Sequence, residues 1–380
     1  MLTTPTARPS SPTTPARVAA RLAPSGGARF AAAVLITASV FGAAQLGWAG
    51  YSVARTGSAV SLRDPRALET ALEGQLPARR AMIGAVNALR YRLLAGTSDQ
   101  VRLGQDGWIF LTEELRPRPE AAVSLRARAA AIGRLQRQLA ARGTRLLVAV
   151  SPDKARTESA HLLGGRLPAG FPEAGYAQFQ SLLKAAGVDT VDLASPLSRT
   201  PGARYYRTDT HWNLLGAGVA ARTIAQTLRS WGLAGDQRFV TRPTGPEGER
   251  SGDLLRLMGL DRAPDGWRPA PDRERPVETD ELGGGSTGLL GAGAQVVLVG
   301  SSYCLRGNFQ GALEQALGQT VVNAAREGAD FAGSLREYLT DPAFRDAPPR
   351  ALVWEIPERF LAPAPGLQDR LPDLDTPTRR

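Results

Sequence analysis

The sequence predicts an α/β fold built on a mostly parallel sheet that carries helices on both faces. Between residues 119 and 356, segments with helical periodicity alternate with short apolar runs of strand length. This alternation is typical of a parallel sheet, because each strand returns to the same edge through a crossover helix. The run at residues 146–150 is apolar throughout, as expected for a strand that is buried on both faces.

Each predicted element rests on its own periodicity and on its boundary residues. Strands are predicted at the runs 146–150, 188–193, 295–300, 320–322 and 351–356. Helices are predicted where apolar residues recur every three or four positions, at 119–142, 172–186, from just after 211 to about 231, 308–317 and 330–340. Before them, the turn residues Asp106-Gly107 and the aromatic run Trp108-Ile109-Phe110 predict a hairpin or an edge strand.

The remaining segments differ in composition from this alternating region. Residues 51–105 predict a helical lead-in, because leucines and valines are spaced among polar residues. Residues 240–293 are rich in proline, glycine and charge, and predict an irregular excursion with one short helix at 253–258. Residues 362–380 are proline-rich and polar, and predict a disordered tail. The domain that carries the chemistry is therefore expected at residues 106–361.

The N-terminus has the features of a membrane anchor. Residues 1–29 contain four arginines and no acidic residue, and predict a disordered cytoplasmic tail. Residues 30–50 carry no charge, and about 21 residues at roughly 1.5 Å each would just cross a bilayer core. Because basic residues mark the cytoplasmic end of such a span, we expect a single-pass inner-membrane protein with its bulk outside the cytoplasm. A cleaved signal peptide and a buried soluble helix are the alternative interpretations.

Composition restricts the possible partners. The chain carries 46 basic and 36 acidic residues, a formal net charge of +10, which suits an anionic polysaccharide or a membrane face. Zinc-finger spacing and an aromatic-basic RNA-binding box are both missing from the sequence, so nucleic acid is not expected as a partner. The single cysteine, Cys304, excludes an internal disulfide and leaves the redox compartment open.

A polar block at residues 205–213 contains the first pair of candidate catalytic residues. His211 is one of only two histidines, and Asp209 lies two positions before it. The block opens into a predicted helix, so His211 lies at or just before a helix N-terminus. An imidazole beside a carboxylate can act as a general base that the carboxylate orients. No metal site is expected, because the second histidine, His161, has no ligand-like neighbours.

The candidate nucleophile follows a predicted strand. Gly300-Ser301-Ser302 lies at the carboxyl end of the run 295–300, and ligands of open α/β sheets bind beyond such ends. A serine on a tight strand-to-helix turn is exposed, and nearby backbone N–H groups can face an oxyanion. Ser302 is the preferred nucleophile, Ser301 the second choice and Cys304 a softer rival. Taken singly, such a serine is also a common helix cap, and a lone histidine is commonly structural.

Several blocks of the chain resemble those of alginate O-acetyltransferase proteins of the AlgJ and AlgX type, which carry an SGNH-hydrolase-like domain. The resemblance covers about residues 70–361 and rests on Asp106-Gly107-Trp108-Ile109-Phe110, residues 206–213, Gly300-Ser301-Ser302-Tyr303, Asn308-Phe309, Arg326-Glu327-Gly328 and residues 354–359. The serine block departs from the family pattern at Cys304. An N-terminal anchor without an appended carbohydrate-binding domain makes the expected organisation more similar to AlgJ than to AlgX.

The resemblance implies a function as well as a fold. It assigns the family's catalytic roles to Ser302, His211 and Asp209. It also implies an extracytoplasmic domain that works beside a membrane-bound O-acyltransferase, which supplies the acetyl groups. The predicted function is that of a membrane-anchored O-acetyltransferase, which acetylates an alginate-like exopolysaccharide through an acetyl-serine intermediate. No cofactor is expected.

The sugar contacts and the class of activity are less narrowly defined. Candidate sugar contacts are Tyr303, Arg326 and Lys154. The alternative for each is a structural hydrogen bond or a solvated charge, and this alternative is favoured for Lys154. A carbohydrate acetylesterase with the same triad is one alternative, because only the preferred acceptor would differ. The other alternative is a non-catalytic scaffold that binds polysaccharide in a secretion complex.

Overall fold

The computed structural model describes residues 77–94, 96–169, 171, 173–283 and 295–375, together with helical positions 37, 39–44, 47–48, 51 and 55. The chain divides into two compact units, residues 1–82 and residues 83–380. Within the described residues, no helix is both long enough and apolar enough to span a bilayer. The predicted tail at 1–29 and much of the predicted anchor at 30–50 lie outside the described residues.

The helices and strands follow the predicted alternation. The α-helices are α1 (Pro77–Leu94), α2 (Ala121–Ala140), α3 (Lys154–Thr157), α4 (Glu173–Ala185), α5 (Ala194–Arg199), α6 (Leu214–Ser230), α7 (Asp253–Leu257), α8 (Phe309–Leu317), α9 (Gly333–Thr340) and α10 (Pro342–Asp346). The strands are β1 (Val101–Leu103), β2 (Ile109–Leu111), β3 (Arg145–Ser151), β4 (Asp189–Val191), β5 (Phe239–Pro243), β6 (Gly248–Arg250), β7 (Asp272–Glu274), β8 (Val277–Glu281), β9 (Val296–Val299), β10 (Val322–Asn323) and β11 (Ala351–Pro357).

The central sheet has five strands in the order β10-β9-β11-β3-β4. Every neighbouring pair in it is parallel. Each of these strands overlaps one of the predicted runs, so the predicted parallel sheet is confirmed. Because the strands are parallel, their carboxyl ends lie at one edge of the sheet, and β9 brings residues 300–302 to that edge.

Alternate residues of the central strands pack into two cores on opposite faces of the sheet. On β3, Leu147 and Ala149 belong to one core, whereas Leu146, Val148 and Val150 belong to the other. Helices α6 and α8 contribute to the first core, and α2, α4 and α9 to the second. The predicted helices on both faces of the sheet are therefore confirmed.

The lead-in predicted as helical over 51–105 is helical only in part. Among its described residues, α1 ends at Leu94, and β1 pairs with β2 in an antiparallel hairpin. Asp106 and Gly107 both have positive φ, at 52° and 78°, as in the turn type that favours hairpins. The predicted hairpin is thus confirmed.

The prediction of an irregular excursion at 240–293 is wrong over its described residues. β5 pairs with β8, and β6 with β7, in two antiparallel ladders, and α7 matches the predicted short helix within one residue. Strands β7 and β8 consist mainly of charged and polar residues, so they give no hydrophobic alternation to detect. Residues 284–294 lie outside the described residues.

The prediction of a disordered tail over 362–380 is wrong for residues 362–375. Asp369 lies in a 3₁₀-helix, and its carboxylate accepts a partly buried hydrogen bond of 3.0 Å from Arg128. Leu371 and Leu374 pack against the second core. Two leucines in a proline-rich segment are too few to produce a periodic signal, although they suffice to dock it.

Candidate active site

Ser302 follows β9 on a turn that is hydrogen-bonded to the neighbouring strand β11. The backbone N–H and the hydroxyl of Ser301 both donate to Glu355 Oε2 on β11, each at 2.8 Å. At Gly300 a Cβ would lie only 2.8 Å from the Cβ of Glu355, so a glycine is required there. Because Ser301 points inward to Glu355, the half-buried Ser302 points toward the groove.

The polar block at 205–213 forms a tight loop that presents Asp209 and His211. Tyr205 and Trp212 form an antiparallel bridge across its base. The Asn213 side chain then caps α6 by accepting from Gly216 N at 3.0 Å. This loop therefore ends where the helix begins, as the sequence predicts.

Asp209, His211 and Ser302 form a continuous hydrogen-bonded chain. His211 Nε2 lies 2.7 Å from Ser302 Oγ, and His211 Nδ1 lies 2.5 Å from Asp209 Oδ1. The backbone N–H of His211 also donates to Asp209 Oδ1 at 3.0 Å. The structure thus brings together the three residues that the sequence singles out as candidate nucleophile, base and orienting carboxylate.

Asp209 lies in a setting that keeps it ionised. Burial alone would raise its pKa, but hydrogen bonds from His211 and the charges of His211 and Arg250 hold the pKa of Asp209 well below its usual range. An ionised Asp209 accepts a hydrogen bond from the Nδ1–H group of His211. This keeps the imidazole proton on Nδ1 and leaves Nε2 free to accept a proton from Ser302.

Charged residues of the excursion contact this block, and local sequence patterns do not indicate them. Arg250 Nη1 donates to Asp209 Oδ2 at 2.8 Å. Asp253 accepts from Thr210 N at 2.8 Å, and Asp272 accepts from Thr208 N at 2.9 Å. Each contact joins the polar block to a residue of the excursion more than 40 positions away. The excursion has no hydrophobic periodicity, so local sequence patterns could not reveal these contacts.

Asp209, His211 and Asp253 lie close enough together to be considered as metal ligands. Each offers atoms that already have partners. His211 Nδ1 bonds to Asp209, Asp209 Oδ2 accepts from Arg250, and both Asp253 oxygens accept from Thr210. A metal ion would have to displace this set of hydrogen bonds, so the donor chemistry favours a proton-transfer site.

Lys154 was expected to contact sugar, and the structure contradicts this. Its amine is fully buried and donates to the carbonyls of Ile109, Arg207 and Asp209 at 2.6, 2.8 and 3.0 Å. Burial lowers the pKa of Lys154 to about 8, so the amine remains a cation at neutral pH. It ties the Asp209 backbone to the β2 hairpin and cannot reach a ligand in the groove.

Tyr303 is also unsuited to the expected sugar contact. It is 1% exposed, its hydroxyl donates to Thr210 O at 2.7 Å, and its ring packs edge-on against Trp212. Tyr303 therefore supports the loop of Asp209 and His211 from within. Arg326 is exposed and forms an ion pair with Glu337, so its role as a sugar contact stays a prediction.

The two rival nucleophiles occupy different positions from Ser302. The Ser301 hydroxyl is buried against Glu355. Cys304 is buried as well, and burial raises the pKa of its thiol well above the usual value, which disfavours the reactive thiolate. Of the three candidates, Ser302 is the one that contacts His211.

Ser302, His211 and Asp209 line a groove of about 490 Å³. Its other charged lining residues are Arg250, Arg256, Arg306, Asp253 and Glu327. A larger groove, of about 1020 Å³, is lined by residues that include Tyr206 and Glu274 but contains neither Ser302 nor His211. We therefore regard the smaller groove as the candidate site of chemistry.

Comparisons with known proteins agree on one family. The family model for the SGNH hydrolase-like domain of the acetyltransferase AlgX matches residues 101–358. The probable alginate O-acetylase AlgJ of Pseudomonas aeruginosa is 36% identical over 353 residues, covering 87% of this chain and 90% of that protein.

Solved structures give the same result. The O-acetyltransferase domain of Pseudomonas putida AlgJ superposes with a TM-score of 0.63 and 34% identity, covering 70% of this chain and 94% of that domain. Pseudomonas aeruginosa AlgX gives a TM-score of 0.54 and 27% identity, covering 68% of this chain and 61% of that chain.

Proposed function

This chain belongs to the AlgX-type family of SGNH hydrolase-like acetyltransferase domains, and from this premise we propose that it transfers acetyl groups to hydroxyls of an exopolysaccharide. The observation that carries the proposal is the hydrogen-bonded chain from Ser302 through His211 to Asp209. The described residues of the domain, within 106–361, include all three side chains.

The first half of the proposed reaction makes an acetyl-serine. Ser302 Oγ attacks the carbonyl carbon of an acetyl ester or thioester while His211 Nε2 takes its proton. The resulting oxyanion is stabilised by backbone N–H groups of the turn around Ser302. When the intermediate collapses, the bond to the donor's leaving group breaks, and that group takes the proton from His211.

The second half transfers acetyl to the acceptor. A sugar hydroxyl gives its proton to His211 Nε2 as its oxygen attacks the acetyl carbon. Collapse of this second intermediate breaks the bond to Ser302, which recovers its proton from His211. Asp209 stays ionised throughout and stabilises the imidazolium that forms in each half.

The acceptor that fits the groove best is an acidic polysaccharide. Arg256 and Arg306 line the groove that contains Ser302, and arginine is suited to binding the carboxylate of a uronate sugar. Relatives that are similar over most of this chain are named alginate O-acetylases. An alginate-like acceptor is therefore the proposed substrate.

The proposed setting is the outer face of the inner membrane. Residues 30–50 are proposed as a single-pass anchor because they are uncharged and follow a basic segment. The acetyl donor would be supplied by a membrane-bound O-acyltransferase, as the resemblance to AlgJ-type proteins implies. Anchoring would keep the domain close to that donor.

The test uses the full chain in detergent with a chromogenic acetyl ester, in wild-type and Ser302→Ala forms. We expect Ser302→Ala to lower acetyl release by roughly 10⁴-fold or more. Mass spectrometry should find acetyl on Ser302 in the wild type and also in Ser301→Ala, because Ser301 faces Glu355.

Adding an alginate oligomer then separates transfer from hydrolysis. Acetylated oligomer in the wild-type reaction supports the transferase, whereas acetate as the sole product would indicate an esterase. Wild-type protein that neither releases acetyl nor becomes acetylated would contradict the proposal and favour a scaffold.

A further inference from the structure

The β6–α7 segment, residues 248–257, contacts the side of Asp209 that faces away from His211. Arg250 Nη1 donates to Asp209 Oδ2 at 2.8 Å, and Asp253 N donates to the same oxygen at 3.2 Å. The other oxygen, Oδ1, faces His211 Nδ1 at 2.5 Å. With both oxygens engaged, the carboxylate cannot rotate without losing hydrogen bonds on both sides.

Arg250 is itself held in place by two further groups. Its guanidinium lies 3.8 Å from the centre of the Tyr206 ring, and its Nε lies 3.7 Å from Glu274 Oε2. The Tyr206 hydroxyl donates to Glu274, which joins the two groups to each other. The side chain of Arg250 is only 22% exposed, so a fixed orientation is expected.

The backbone of the segment is fitted closely to the loop that carries Asp209. A Cβ added at Gly252 would lie 1.9 Å from the carbonyl oxygen of Thr208, so only glycine allows this approach. Beside it, the Asp253 carboxylate accepts from the backbone N–H and the hydroxyl of Thr210. The approach therefore brings Arg250 Nη1 and the backbone N–H of Asp253 to the same oxygen of Asp209, Oδ2.

We infer that Arg250 is a positioning residue for the acetyl transfer, which fixes the Asp209 carboxylate so that Oδ1 orients His211 toward Ser302. This inference rests on the proposed function. Arg250 acts through Asp209 and need not touch the substrate. Its contribution is geometric, because a misplacement of about 1 Å in a catalytic group can lower a rate by roughly 10²-fold.

Arg250 also contributes a charge to the site. The ionisable groups around Asp209 are His211, Arg250, Asp253 and Lys154, with Asp272, Glu274 and Tyr206 behind them. Loss of the cation nearest the carboxylate makes the Asp209–His211 pair easier to protonate. The acid limb of the pH–rate profile should then move to higher pH.

The test compares Arg250→Met with Arg242→Met in the full chain. Arg242 lies in the same excursion and also pairs with a carboxylate, Asp280, but both are exposed. A small uncharged acetyl ester is the substrate, so that binding of an acidic acceptor does not enter. We expect Arg250→Met to lower kcat by roughly 10²-fold with little change in KM and with the acid limb shifted, and Arg242→Met to match wild type.

Arg250→Lys serves as the conservative variant. It keeps the charge but not the guanidinium geometry, so it should restore the acid limb and part of kcat. If Arg250→Met does not fold, Arg250→Lys and Glu274→Gln test the inference in its place. Each of these two variants should lower kcat severalfold and leave KM unchanged.

Several results would overturn the inference. Unchanged kcat and pH profile in Arg250→Met would do so, as would a rise in KM alone, which would make Arg250 a substrate-binding residue. Full activity in both Arg250→Lys and Glu274→Gln would also do so. The proposed function fails separately, if Ser302→Ala keeps wild-type activity.

Discussion

The two halves of the candidate site are held by different parts of the molecule. The serine half is held by the central sheet, where Glu355 accepts hydrogen bonds from Ser301 on the β9 turn and from Ser151 at the end of β3. The half that carries Asp209 and His211 is held by the excursion, through Arg250 and neighbouring carboxylates.

The central sheet therefore sets the position of the candidate nucleophile, Ser302, whereas the excursion sets the orientation of the candidate base, His211. Glu355 lies on β11, between β9 and β3, so the serine turn moves only if the sheet moves. The described strands of the excursion form two-stranded ladders outside the central sheet, and such elements can open locally without global unfolding. Damage to the excursion should therefore affect catalysis more than stability, and damage to the sheet side should do the reverse.

The largest effect is expected from Asp209→Asn, which acts on the half held by the excursion. Arg250 and the backbone N–H of Asp253 are obligate donors at one oxygen, so the new amide NH₂ is directed toward His211. The imidazole then carries its proton on Nε2 and cannot accept one from Ser302. We expect kcat to fall by roughly 10⁴-fold, with thermal unfolding changed by only a few degrees.

Asp253→Asn is the matched control for that prediction. Asp253 faces Thr210 and lies 3.6 Å from His211 Nδ1, so only about 1 kcal/mol of transition-state stabilisation should be lost, which is about fivefold in kcat. Equal losses in the two variants, measured with the chromogenic ester, would contradict the distinct role of Asp209.

A middle-sized effect is expected from Lys154→Met, which breaks a link between the two halves. Lys154 follows β3 at the carboxyl edge of the sheet, and its amine donates to Arg207 O and Asp209 O. Methionine removes all three hydrogen bonds that the amine donates to backbone carbonyls, so we expect the free energy of unfolding to fall by about 3 kcal/mol. Urea denaturation measures this change.

The chain contains one other lysine, and it provides the control. Lys184 is exposed near the end of α4, so Lys184→Met should change the free energy of unfolding by no more than about 0.5 kcal/mol. A Lys154→Met protein as stable as Lys184→Met would show that Lys154 does not join the halves.

The smallest effect is expected from Glu355→Gln, on the sheet side. Burial raises the pKa of Glu355 above its ordinary value. At pH values between the ordinary and the raised pKa, the folded protein therefore holds a proton that the unfolded chain has released. The stability that this proton provides is present at low pH and is lost as pH rises through the raised pKa. Glutamine cannot ionise, so it removes this loss.

The prediction for Glu355→Gln is therefore a trend with pH. At low pH the variant should be about 1 kcal/mol less stable than wild type, because one hydrogen bond is rearranged. As pH rises above about 4.3, the difference should shrink or reverse. Urea midpoints at several pH values test this, and a difference that is constant with pH would refute it.

Local sequence patterns were sufficient for the sheet and for the three candidate catalytic residues. The central strands are apolar runs of strand length, and burial on both faces is what produces such runs. Ser302 could be found because it follows one of those strands, and His211 because it stands before a helix and two positions after Asp209. The catalytic roles of these residues remain predictions that the variants above test.

The environment of those residues could not be found in this way. Lys154 is a candidate sugar contact in the sequence, yet tertiary packing surrounds its amine with three carbonyls. Tyr303 is another candidate, yet the turn directs its ring into the core. Each side chain is oriented by contacts with distant parts of the chain.

By itself, the sequence determined the fold class and the choice of candidate catalytic residues, because hydrophobic periodicity and the residues at strand ends report burial and turn geometry locally. Only the tertiary structure decided what surrounds Asp209. Arg250 is 41 positions away, in a charged segment whose strands are held by backbone pairing and ion pairs and therefore leave no apolar period. Contacts of this kind depend on how the chain closes on itself, which no local pattern records.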